Sequence, residues 1–108
     1  MPTTPDKPQT PKPHVRVVDN ITTTLIDRGS RYGKFTGHAK ITQDIKSCFR
    51  AADLSKWHRL DDDQKEALEM IAHKLGRIIN GDPNYADSWV DIAGYAKLVA
   101  DRLTGEER

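Results

Sequence analysis

The stretch from Asp62 to Leu103 constrains the fold most, because it predicts two helices joined by a short turn. Apolar residues recur at helical spacing on both sides of Asn80-Gly81-Asp82-Pro83. In that turn glycine is placed to end one helix and proline to start the next. We expect the second helix to run from about Asn84 to Leu103. No strand-like alternation longer than a few residues appears in the chain, so the predicted class is all-α.

Four charged side chains lie among the apolar residues of these two helices. Lys74 and Arg77 fall at the edge of the first apolar arc, and Asp87 and Asp91 run along one margin of the second. Two carboxylates at i and i+4 repel each other by roughly 0.2–0.5 kcal/mol, so a positive group should lie against them. We interpret this four-residue seam as the functional site. The arcs predicted to be buried comprise Ala67, Leu68, Ile71, Leu75, Ile78 and Ile79, then Ser88, Trp89, Ile92, Tyr95, Ala96, Val99 and Leu103.

Two more helices are predicted upstream, which gives a four-helix, bundle-like domain over residues 17–105. The first spans about Val17 to Arg28, with Gly29 as its stop. The second spans His38 to Leu54 and includes Cys48 as a small core residue. An elbow at residues 55–60 is expected to be anchored by Trp57 and Leu60. The acidic run at 61–63 then caps the helix that follows.

Residues 1–16 are expected to form a disordered, proline-rich arm outside the domain. Prolines occupy positions 2, 5, 8, 11 and 13 among polar residues. This composition favours polyproline II or disorder, because it offers no core-forming side chains.

Composition excludes several classes of protein. With 36% hydrophobic and 31% charged residues, the chain has no apolar run long enough to cross a bilayer and no signal-peptide segment. We therefore expect a cytoplasmic location and no membrane partner. A single cysteine excludes an intramolecular disulfide and a cysteine-based zinc site.

The formal charge of +1 conceals an asymmetry. Residues 28–59 hold eight Lys/Arg against two Asp, and residues 60–108 hold eleven Asp/Glu against six Lys/Arg. Either the two halves attract each other, within one chain or between subunits, or the basic half gathers phosphate-bearing ligands. We do not expect a nucleic-acid partner, because the sequence shows neither a helix-turn-helix nor an aromatic platform.

The segment from Arg28 to His38 holds three glycines, three basic residues, two aromatics and a histidine. Exposed backbone amides beside Arg and Lys suit an anion. The alternative is a tight loop between helices, with Tyr32 and Phe35 closing the end of the bundle, and the two interpretations are compatible. We expect four residues to form the rim of the ligand site: Arg31, Tyr32, His38 and Tyr95.

Three chemical assignments fit the seam. In the first, Asp87 and Asp91, with Glu66 or Glu69 from the facing helix, hold Mg²⁺ while Lys74 and Arg77 bind phosphates, and a metal-activated water attacks a phosphoanhydride. In the second, the same charges bind a nucleotide or another phosphorylated small molecule without turnover. In the third, the charges neutralise one another in a buried structural network.

The chain resembles a family of small phage and prophage domains of unassigned function. The likeness covers residues 17 to 104 and rests on three patterns: Arg28-Gly29-x-x-Tyr32-Gly33, then Lys74-x-x-Arg77, then Asp87-Ser88-Trp89-x-Asp91-Ile92-Ala93-Gly94-Tyr95. That family is in turn similar to the all-α MazG-like nucleoside triphosphate pyrophosphohydrolases. The resemblance implies a phage-encoded protein in the host cytoplasm, a Mg²⁺ cofactor and a homo-oligomer.

The resemblance also assigns catalytic and metal-binding roles to individual residues. MazG-like enzymes carry Glu-Glu-x-x-Glu on one helix and Glu-x-x-Asp on the next. Here these read Lys65-Glu66-x-x-Glu69 and Ser88-x-x-Asp91, so two of the five expected carboxylates are absent. The implied catalytic residues are Glu66, Glu69 and Asp91, and the implied metal ligands are Asp87, Asp91 and Glu69. Hydrolysis and non-catalytic sequestration both stay open, as does a different class, a non-enzymatic module that inhibits or adapts a host protein.

Overall fold

The computed structural model of the chain describes residues 13–51 and 53–108, with side chains from residue 20 onward. Every regular element in that part is a helix: α1 (Pro13–Tyr32), α2 (Phe35–Ala51), α3 (Leu54–His58), α4 (Asp62–Asn80) and α5 (Ala86–Leu103). The all-α class is confirmed, and the predicted elbow forms the short additional helix α3. None of the described helices is long and apolar enough to span a membrane.

The N-terminal arm lies mostly outside the described residues. Only its last four positions, 13–16, are seen, and they belong to α1, which therefore begins before the predicted start near Val17. Proline suits the first position of a helix because its missing N–H would have no partner there.

α4 is the central helix, since it packs against both α2 and α5. Its start was predicted from the acidic run, and Asp61 is the N-cap, whose backbone N–H donates to Gln64 Oε1 at 2.8 Å. Asp62 and Asp63 place negative charge in its first turn, at the positive end of the helix dipole. It ends at Asn80, as predicted, and its buried positions are Ala67, Ala72, Gly76 and Ile78.

Gly76 sets how closely α2 approaches α4. A Cβ at this position would collide with Thr42 Oγ1 and would lie 3.0 Å from His38 Nδ1. Both of those α2 side chains are buried. The absence of a side chain on Gly76 therefore lets His38 lie directly against α4.

The turn between α1 and α2 is much shorter than predicted. α1 continues through Gly29 to Tyr32, and α2 already includes Gly37, so only Gly33 and Lys34 lie outside the helices. Gly33 adopts a φ of 76°, in the left-handed region that favours glycine. The prediction that Gly29 ends the first helix is wrong, because the change of chain direction occurs at Gly33.

Residues at the end of α4 hold this turn in place. Asn80 Nδ2 donates to the carbonyls of Tyr32 and Lys34, both at 2.8 Å, and the Asp82 N–H donates to the Arg31 carbonyl at 2.6 Å. A side chain on Gly81 would collide with the backbone of Arg31 and Tyr32. The turn at Gly33-Lys34 and the segment Asn80-Gly81-Asp82 therefore pack directly against each other. This contact holds the start of α2 beside the end of α4.

The aromatic anchor of the elbow is confirmed. Trp57 on α3 is buried, and its ring stacks on Phe49 of α2 with the centroids 5.2 Å apart. The Arg50 guanidinium lies 4.8 Å from the centre of the Trp57 ring. α3 is therefore fastened to α2, in agreement with the role predicted for Trp57.

Several apolar residues predicted to be buried are exposed instead. These are Leu68 and Ile79 on α4, Trp89, Ala96 and Leu103 on α5, and Cys48 on α2. The predicted apolar face of α1 is likewise exposed at Ile21, Leu25 and Ile26. Periodicity identifies the apolar face of a helix but not what covers it, and the described helices leave these residues uncovered.

Candidate anion-binding site

A cavity of about 440 Å³ opens between α1, the start of α2 and α4. Its wall includes three cationic side chains, two histidines and two aromatic rings. Among the residues that the structure describes, no carboxylate lines it. The lining residues are Leu25, Arg28, Gly29, Tyr32, Gly33, Lys34, Phe35, His38, His73 and Arg77.

Arg77 is the most enclosed of the three cations. It is half-buried, and its guanidinium carbon lies 4.2 Å from the centre of the Tyr32 ring, a cation–π distance. Among the residues that the structure describes, no carboxylate lies within ion-pair distance of Arg77, Arg28 or Lys34. Buried charges are commonly paired, so this unpaired arginine marks a place for an anion.

His38 and His73 meet across α2 and α4 at the inner side of the same cavity. His38 Nε2 lies 3.2 Å from His73 Nδ1, and the rings are edge to face with centroids 4.6 Å apart. Burial, and next the charge of Arg77, lower the pKa of His38. Burial lowers the pKa of His73 to about 4, with further contributions from Arg77, His38, Lys74 and Lys46. Both rings are therefore neutral at pH 7.

Two of the four charges of the predicted seam pair with each other, and the other two contact different groups. Lys74 Nζ lies 2.9 Å from Asp91 Oδ2, which is the one predicted cross-helix pair that forms. Arg77 faces Tyr32 and the cavity instead, and Asp87 accepts a hydrogen bond from the Tyr85 hydroxyl at 3.1 Å. The common seam predicted for α4 and α5 is thus divided between an ion pair and the cavity.

The carboxylates assigned to catalysis and metal binding also have separate surroundings. Glu69 pairs with Arg50 of α2 at 3.1 Å, Asp91 pairs with Lys74, and Glu66 lines a different cavity bordering α5. Within the described part of the chain, no three His, Cys, Asp or Glu side chains form a group that could hold a metal ion.

Two of the four predicted rim residues, Tyr32 and His38, line the cavity. Arg31 does not, because it pairs with Asp27 at 3.2 Å and lies over the Tyr85 ring, 5.1 Å from its centre. Tyr95 lines two other cavities, of about 690 and 440 Å³, whose walls include carboxylates.

The sequence interpretation missed several residues of the cavity, above all His73. The i, i+4 spacing of His73 and Arg77 places both on one face of α4, which is a local signal that was available. The approach of His38 gives no such signal, since it depends on the contact at Gly76 between residues far apart in the chain. Arg28, Lys34 and Phe35 belong to the basic segment that was singled out, but not to the residues assigned to the ligand.

A family model described as a domain of unknown function, DUF6378, matches residues 17–103 of the chain. No curated protein and no solved structure matched in the corresponding searches.

Proposed function

The chain belongs to the family of the DUF6378 domain of unknown function, and from that starting point we propose that it binds a nucleotide or another phosphorylated small molecule. The ligand would occupy the cavity between α1, α2 and α4. The observation that carries this proposal is Arg77, which is half-buried, unpaired with any described carboxylate and held over Tyr32 at the cavity wall.

The cavity offers groups for both parts of a nucleotide. Arg28, Lys34 and Arg77 supply charge-assisted hydrogen bonds to phosphate oxygens. α2, a 17-residue helix, starts at the cavity wall with Phe35, so its positive dipole end adds to the attraction. Phe35 is 77% exposed, so its ring is free to stack on a base, a contact worth about 1–3 kcal/mol.

Binding without turnover is the version that the geometry supports best, because the described part of the chain places no carboxylate in the cavity wall. The alternative is MazG-like, Mg²⁺-dependent release of pyrophosphate by Glu66, Glu69 and Asp91. These three residues do not line the cavity, so this reaction would require them to contact the ligand from outside it. In a phage-encoded setting, a binding protein in the host cytoplasm would sequester a nucleotide or a nucleotide-derived signal.

The test is a thermal-shift screen of the purified protein against nucleoside mono-, di- and triphosphates and cyclic nucleotides, with and without Mg²⁺. A ligand present at about 100 times its dissociation constant should add roughly 2.7 kcal/mol of stability. Product analysis of each ligand that binds then separates sequestration from hydrolysis. If no nucleotide or phosphorylated compound raises the melting temperature, the proposal is wrong.

We further propose that the partner of the exposed apolar faces is a second copy of this chain. α5 exposes Trp89, Val90, Leu98 and Leu103, and α1 exposes Ile21 and Ile26. Exposed apolar surface on two helices is typical of a protein interface. The rival, a host protein seated on the same surface, predicts that the purified chain stays monomeric.

A further inference from the structure

We propose that the His38–His73 pair recognises a doubly charged anion, such as a phosphate group, and takes up one proton from solvent when that anion binds. This inference rests on the proposed function, because it requires an anion in the same cavity. The proposed function does not specify the charge of the ligand, whereas this inference specifies a group with two negative charges. It also predicts that the affinity for that group depends on pH.

The hydrogen atoms of the pair determine what it offers to a ligand. One hydrogen lies between His38 Nε2 and His73 Nδ1, which are 3.2 Å apart. In the neutral pair, only one of the two remaining nitrogens, His38 Nδ1 or His73 Nε2, also carries hydrogen. In the singly protonated pair both carry hydrogen, so His73 Nε2 is then always a donor with positive charge behind it.

In the protein without ligand, the surroundings oppose that protonation. Among the described residues, the charged groups that line the cavity or lower the pKa of either histidine are cationic: Arg28 on α1, Lys34 in the turn, Lys46 on α2, and Lys74 and Arg77 on α4. Glu69, one turn before His73 on α4, pairs with Arg50. The nearby acid of α5, Asp91, pairs with Lys74 rather than with either histidine. His38 is buried, and the described residues place no carboxylate in the cavity wall as a counter-charge.

A bound anion supplies the missing counter-charge. An opposite charge within about 4–6 Å typically moves a pKa by about 1 to 3 towards the charged form. For His73, whose pKa is about 4 without ligand, this brings protonation into the range between pH 5 and 7. Before an anion binds, neutral histidines add no positive charge to the cationic cavity wall. Once an anion is bound, the protonated pair adds a positive charge that strengthens its binding.

The experiment follows the imidazole signals of the full-length protein by NMR as the pH is varied, with and without sodium sulfate at matched ionic strength. Sulfate is chosen because it keeps its two charges throughout this pH range. We expect sulfate to raise the pKa of His73 by about 2, and we therefore expect the dissociation constant for sulfate to decrease about fourfold between pH 7.5 and pH 5.5. His73→Gln should abolish the pH dependence, whereas His58→Gln on the exposed helix α3 should preserve it.

Two results separate this inference from the proposed function. Sulfate binding with the same affinity across that pH range and an unchanged pKa of His73 would overturn the proton uptake and leave the anion site standing. If nucleotides bind but sulfate does not, proton uptake is measured by calorimetry of nucleotide binding in two buffers. Equal proton uptake by the wild type and by His73→Gln would likewise overturn the proton uptake and leave the anion site standing. No binding of sulfate or of any nucleotide at any pH would overturn both.

Discussion

Lys74 and Arg77 lie three residues apart on α4, yet their charges are satisfied differently. The Lys74 side chain is 11% exposed and ends on Asp91, whereas Arg77 faces an aromatic ring and a cavity without acids. Lys74 therefore has a structural partner within the chain, and Arg77 is available for a ligand. Although the two residues are neighbours on the helix surface, Lys74 extends to Asp91 of α5 and Arg77 extends to Tyr32 of α1.

The Lys74–Asp91 pair predicts unequal effects of removing its two members. The Asp91 side chain is 45% exposed, so it stays hydrated when Lys74→Met removes its partner, and we expect that variant to lose less than about 1 kcal/mol of unfolding free energy. Asp91→Asn leaves a nearly buried ammonium without its charge partner and should cost about 1–3 kcal/mol. Urea denaturation of both variants measures the difference. Equal losses would show that the pair does not have this asymmetry.

The histidine pair predicts a loss of stability in mild acid. The folded-state pKa of His73, about 4, lies below its ordinary value of 6.5, so the unfolded chain binds more protons between these values. The stabilising contribution is therefore complete above about pH 6.5 and is lost as the pH falls towards 4. The melting temperature of the wild type should decline across this window more steeply than that of His73→Gln. Parallel curves for the two proteins would contradict the lowered pKa.

At the scale of elements, the crossing of α2 and α4 depends on Gly76. Gly76→Ala should destabilise the domain by about 1–3 kcal/mol, because the added methyl collides with Thr42 Oγ1 in a buried contact. Gly94→Ala on α5 is the matched control, since no described atom outside the adjacent backbone of α5 lies within 4 Å of its new methyl group. That control should preserve or raise stability, as alanine favours a helix by about 1 kcal/mol. Chemical denaturation of both variants tests the crossing, and a neutral Gly76→Ala would disprove it.

Local signals account for the elements that the sequence predicted correctly. The start of α4 is marked by its acidic cap and its end by Asn80-Gly81, so the bounds of this helix follow from nearby residues. The turn after α1 was misplaced because Gly29 and Gly33 look alike locally. The hydrogen bonds from Asn80 to Tyr32 and Lys34, which hold the turn at Gly33, join residues more than forty positions apart.

The candidate site was predicted in part for the same reason. Tyr32, His38 and Arg77 were identified from composition and helix position, and all three line the cavity. Their grouping was not predicted, since it needs the close approach at Gly76 and the rotation of Arg77 away from α5. A helical pattern gives the face on which a charge lies, but it does not show which neighbouring helix reaches that face.

At the scale of the whole molecule, the described residues form few ion pairs between the basic and acidic halves and leave apolar side chains exposed. Across the described residues, a single ion pair, Arg50 with Glu69, joins the basic half at 28–59 to the acidic half at 60–108. No element within the described ranges covers the exposed apolar residues of α1 and α5. Both observations support a second copy as the missing neighbour.

Self-association gives a direct prediction. Light scattering coupled to size-exclusion chromatography should show an oligomer for the wild type, and Ile26→Glu or Val90→Glu should shift it towards the monomer by placing charge in the apolar interface. Gln43→Glu, which adds the same charge at an exposed position of α2, is the control and should leave the mass unchanged. A monomeric wild type at all concentrations would reject the second copy in favour of another partner.

The central claim is that Arg77 binds the phosphate of a ligand in the cavity between α1, α2 and α4, and calorimetric titration tests it most directly. The nucleotide that gives the largest thermal shift is titrated into the wild type, Arg77→Gln and Arg50→Gln. Arg50→Gln is the control, because Arg50 also lies over an aromatic ring but does not line the cavity. Loss of a charge-assisted hydrogen bond, worth about 1.5–3 kcal/mol, should weaken binding by Arg77→Gln about 10- to 100-fold. Arg50→Gln should bind like the wild type. Equal affinities for wild type and Arg77→Gln would contradict the account.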